Sequence, residues 1–154
     1  MTLNRLGLTA VLLTVIATGV VLADEMTTFK SRRYNVMTDL ERDAAKEIAT
    51  HMDRVYDEYA RRLRRAGFTQ RHHGRMVLQL YRTQPGYVRG LARHEVNGKN
   101  TGGMFFVRDG DAALATWVEN HGREHTLATL QHEGFHQFAY MHIGRNLPVW
   151  CNEG

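Results

Sequence analysis

Residues 127–154 read LATLQHEGFHQFAYMHIGRNLPVWCNEG. His132 and His136 stand four apart, Glu133 directly follows the first, and Glu153 is the next-to-last residue. Leu127, Leu130, Phe135 and Phe138 recur at helical spacing, so a helix is expected over about 123–142, with Gly144 placed to stop it. On such a helix, residues i and i+4 project from one face, and two imidazoles can grip a single ion. Glu133 lies about 100° round the helix from His132. It is poorly placed to ligate the same ion but can reach a water held there. A catalytic zinc takes three protein ligands and leaves one position open. Glu153 is the natural third ligand: sixteen residues separate it from His136. Pro148 suits the first turn of a further helix that would bring it back.

The chain upstream reads as alternating strands and helices. RRYNVMTDL places Tyr34 and Val36 on one face of a strand. Thr38 and Glu41 are spaced as a capping box, and an amphipathic helix is expected from Asp39 to about Ala66, ended by Gly67. RMVLQLY is a second strand, and Pro85 opens a turn or short helix through about Arg93. GGMFFVRDGDAALATWV reads as a hairpin turning at Asp109-Gly110, with strands near Met104–Val107 and Ala113–Val118. Phe105 and Phe106 would pack on opposite faces, and the GGMFFV strand is a candidate edge for an added peptide strand. The order implies an α+β domain. Gly134, inside the metal helix, suggests close packing against a strand beneath it.

The N-terminus is a separate element. Arg5 precedes an uncharged run from Leu6 to Ala23, and Val21 and Ala23 fit a signal-peptidase site with the cut before Asp24. The same run is long enough to anchor the chain in a membrane if uncleaved. Either way residues 24–154 are exported, to a periplasmic or extracellular location. The whole chain has 154 residues, a hydrophobic fraction of 43% and a net charge of +4. Such a mild balance names no partner by itself. The single cysteine, Cys151, excludes an intrachain disulfide framework and reads as a small buried hydrophobe.

The motif QHEGFHQFAY followed by LPVWCNEG resembles the gluzincin zinc metallopeptidases, and more specifically the peptidase-MA-like domains. Their pattern runs from His-Glu-x-x-His-Gln to a Leu-Pro-x-Trp-Leu-x-Glu-Gly segment. The likeness covers roughly Leu127 to Gly154. It implies a zincin-like fold: a small mixed sheet, a long N-terminal helix and a metal-binding active-site helix. It also implies a peptidase with Zn2+ held by His132, His136 and Glu153. Glu133 would be the base that activates a zinc-bound water against a peptide or protein substrate. Cys151 departs from the larger apolar residue usual there. In the family the glutamate helix continues past this point, so the C-terminal part of the domain is expected to be missing.

Two other readings compete. A catalytically inactive zinc-binding or structural domain would keep the ligands without the reaction. An anion-binding surface module would use RRLRRAGFTQRHHGR, which carries six arginines and two histidines between Arg61 and Arg75. That stretch reads better as a solvated helix end whose cations complement the helix dipole, and no nucleic-acid partner is expected. Tyr140 and His142 lie near the motif without an assigned role. His121 and His125 are also four apart, but the helix is not expected to start early enough to align them, so they read as surface residues.

Overall fold

The computed structural model describes residues 25–67, 69, 74–108 and 110–144. The expectations for the leader (1–23), Asp109, Pro148, Cys151 and Glu153 lie outside them. Alternation in YNVMT makes β2 (Tyr34–Thr38), with Tyr34, Val36 and Thr38 all buried on one face. The apolar run MVLQLY makes β3 (Met76–Tyr81), buried on both faces as a central strand should be. A short polar strand, β1 (Thr27–Lys30), pairs antiparallel with β2 at one edge. The hairpin is β4 (Gly103–Arg108) and β5 (Asp111–Trp117), with Gly110 at φ +89°. The sheet order is β1-β2-β3-β5-β4. β2, β3 and β5 are mutually parallel and β4 runs antiparallel to β5 at the open edge.

Among the described residues three helices cover this sheet: α1 (Arg42–Arg65), α2 (Gln84–Ala92) and α3 (Arg123–His142). α1 and α3 lie on the face formed by Tyr34, Val36, Met76, Leu78, Leu80 and Leu114. α2 lies on the other, where Tyr87 and Leu91 meet Tyr81, Phe106, Ala113 and Trp117. The result is a mixed α/β arrangement, consistent with the expected α+β class. Phe105 and Phe106 do part to opposite faces: Phe106 joins the α2 cluster, while the Phe105 ring stands 5.5 Å from that of Tyr140 on α3.

The capping box does not form. α1 begins at Arg42, its N-cap is Glu41, and no side chain caps it. Thr38 is the last residue of β2, and its hydroxyl accepts instead from Leu40 N at 3.0 Å. Strand pairing of Thr38 with Thr27 on one side and Leu80 on the other holds it in the sheet and overrides the local helix signal. At the other end Gly67 does end the helix, at φ +84° with its N–H on Arg64 O.

One buried carboxylate ties α1 to the sheet. Asp53 accepts from Ser31 Oγ at 2.9 Å, Arg32 N at 3.1 Å and Arg33 N at 2.8 Å, closing the β1–β2 turn. No apolar replacement can satisfy two backbone N–H groups. Asp53→Ala is expected to cost about 3 kcal/mol of stability, read as a fall in the urea midpoint at unchanged slope. A loss below about 1 kcal/mol would show that water serves those amides equally well.

Candidate metal centre

α3 occupies the residues the apolar spacing marks, with Leu130 and Phe138 fully buried. It is seated by three features. Gln137 Nε2 donates to Val77 O at 2.9 Å and to Ala112 O at 3.2 Å, from a fully buried side chain. Gly134 lies where a Cβ would come within 2.8 Å of Met52 Cε and 3.8 Å of Leu114 Cδ2. The close approach expected of this glycine is thus chiefly to α1, with a strand residue second. Phe135 and Phe138 meet the Tyr59 ring at 5.7 and 5.5 Å.

This seating turns the motif toward the open edge of the sheet. His132 and His136 meet nearly edge to face, with Nε2 atoms 3.1 Å apart and ring centroids 4.6 Å apart. Two nitrogens bound tetrahedrally to one zinc at ordinary bond lengths stand about 3.3 Å apart. The 3.1 Å separation is that of a hydrogen bond between the rings, and it lies near the spacing of two nitrogens on a shared zinc. His132 is exposed and His136 buried, so one ring is anchored and the other open to solvent.

Glu133 points elsewhere. Its Oε2 accepts from Phe105 N at 2.9 Å. Phe105 is on β4, and alternation along an antiparallel ladder means that its N–H faces away from β5 if Glu133 can take it. Glu133 therefore spans the seam between α3 and the edge strand. The sequence had no signal for this contact, which depends on strand order. Tyr140 is at the same seam through its contact with Phe105. His142 is not: it is buried with Nε2 3.0 Å from Tyr56 OH.

The third expected ligand, Glu153, lies outside the described residues. Among the described residues no group of three or more His, Cys, Asp or Glu side chains is placed to hold a metal. Arg61 and Arg62 pair with Glu58, Arg64 and Arg65 are solvated, and residues 70–73 are not described. His121 and His125, read as surface residues, meet despite the helix starting only at Arg123: their ring centroids are 4.7 Å apart. His125 is exposed, but His121 is half-buried against Trp117.

Among known proteins, no family model and no curated sequence matches the chain.

The Glu133 contact makes a clean prediction. Charge-assisted hydrogen bonds contribute about 1.5–3 kcal/mol, so Glu133→Ala should speed exchange of the Phe105 amide hydrogen by about tenfold to a hundredfold. The Phe106 amide, which faces β5, should be unaffected. Equal protection of Phe105 in both proteins would mean that something other than Glu133 shields it.

Proposed function

We propose that the chain is an exported zinc-dependent peptidase of zincin-like fold. His132, His136 and Glu153 are its metal ligands and Glu133 its general base. The observation that carries this reading is the imidazole pair: two Nε2 atoms 3.1 Å apart on one rigid helix, beside a carboxylate one residue on. Zinc held there would supply a Lewis acid and lower the pKa of a nearby water.

This chain's own residues account for the rest. Glu133 takes the proton of the attacking water on a carboxylate oxygen and returns it to the leaving amine nitrogen. The substrate is a peptide in extended form, laid along β4, the edge strand that borders the site. The Phe105 N–H and the substrate backbone then share the neighbourhood of Glu133, which brings a peptide bond up to the base. Leader cleavage before Asp24, or anchoring by residues 6–23, puts the reaction outside the cytoplasm. Among the described residues no helix is long and apolar enough to cross a membrane.

A second reading has an observation in its favour. The Glu133–Phe105 bond gives the glutamate a structural task, joining helix to strand. An inactive zinc-binding domain would therefore also have a use for it.

The test is zinc content and peptide hydrolysis on the same preparations. The peptidase reading expects about one zinc per chain, lost in His132→Ala and in Glu153→Ala. It expects Glu133→Gln to keep the zinc while hydrolysis of an internally quenched peptide mixture falls at least a hundredfold. Zinc retained with no hydrolysis by the unsubstituted chain would favour the inactive domain. No zinc at all would end both readings.

A further inference from the structure

Before α3 begins, the chain makes a tight reversal. Asn120 and Gly122 both take positive φ, 64° and 69°. Between them His121 is folded back so that its ring lies on Trp117, centroids 3.6 Å apart, and meets His125 of the first helical turn at 82°. The pair resembles that of His132 and His136, whose centroids are 4.6 Å apart at 86°. Both rings lie over Gly102. The point where a Cβ would stand on Gly102 is 3.7 Å from His125 Nε2 and 3.9 Å from His121 Nδ1. A glycine there puts no Cβ between the two nitrogens.

We propose that His121 Nδ1 and His125 Nε2 form a second metal site over Gly102, taking a divalent transition-metal ion with copper(II) favoured. His121 Nδ1 is shielded from solvent and has no hydrogen-bond partner among the described residues. With two protein ligands, the remaining positions go to water or to a small ligand. Such a sparse nitrogen site binds copper(II) more tightly than zinc or nickel, following the general order of divalent affinities. His125 and His132 are seven residues apart on one helix, about 10 Å of rise. That is too far for a shared two-metal centre, whose ions stand about 3.5–4 Å apart. The second site is thus independent of the peptidase reading, and of whether the first pair holds zinc.

Trp117 provides the probe. The chain has two tryptophans; in the full chain carrying Trp150→Phe, Trp117 is the sole indole. His132→Ala and His136→Ala in the same chain remove the first pair. Copper(II) added to this protein should quench Trp117 fluorescence saturably at one equivalent, with nitrogen couplings from two imidazoles in its paramagnetic resonance spectrum. Adding His125→Ala, an exposed side chain whose loss does not threaten the fold, should weaken the binding at least tenfold. Gly102→Ala should do the same, because its Cβ would stand 3.2 Å from His121 Cε1 and displace the ring. Absence of saturable quenching, or quenching unchanged by His125→Ala, would overturn the proposal. So would copper bound without any effect on Trp117.

Discussion

The rotation of α3 about its own axis is set by one buried amide. Both hydrogens of Gln137 Nε2 are used, one on β3 and one on β5, at the point where those two parallel strands begin to pair. Side chains on a helix are spaced at about 100° per residue, so fixing Gln137 fixes the direction of every neighbour. Glu133, one turn earlier, is carried to the β4 side of the sheet, with His132 open to solvent and His136 buried. A leucine could fill the same space but would leave two strand carbonyls to find other partners. The Gln137 Oε1 finds no partner among the described residues. The side chain is thus held for its two donors, which anchor the helix.

The same helix is constrained from its other side by α1. Gly134 costs up to about 1 kcal/mol of helix propensity relative to alanine. In exchange the backbone of α3 comes against the Met52 methyl, which is itself fully buried. The aromatic rings of Tyr56 and Tyr59 then close over Phe138 and Phe135, and Tyr59 OH reaches Gln131 O at 2.8 Å. α1 in turn is held to the β1–β2 turn through Asp53. A chain of contacts therefore runs from the far edge of the sheet, through α1, to the helix that bears the histidines.

Much of this was legible in the sequence, for a physical reason. Elements whose apolar periodicity coincides with their burial declared themselves: β2, α1, β3, the β4–β5 hairpin and α3 all fall within a few residues of expectation. β1 did not, because TTFK is short, mostly exposed and carries no alternation strong enough to mark it. Thr38 misled, because a buried strand position outcompeted its capping chemistry. The His132–His136 pairing is local geometry and could be read directly. The Glu133–Phe105 bond joins residues 28 apart and exists only because β4 is placed outside β5. The meeting of His121 with His125 needed the positive-φ reversal at Asn120 and Gly122, which no periodicity reveals.

These points converge on the seam between α3 and β4. An edge strand presents unpaired amides and carbonyls that can recruit another chain unless something covers them. Here α3 packs on the sheet face beside that edge. His125 is over Gly102, Thr129 is close against Gly103, Glu133 holds the Phe105 amide, and Tyr140 packs on the Phe105 ring. The contact residues advance along helix and strand together, and Glu133 reaches round to one edge amide. At Phe105 the helix covers the edge with a carboxylate. A carboxylate that accepts from one edge amide occupies a position that an incoming peptide strand would otherwise use. Glu133 thus guards the edge at Phe105 and ties the helix to the strand in one contact.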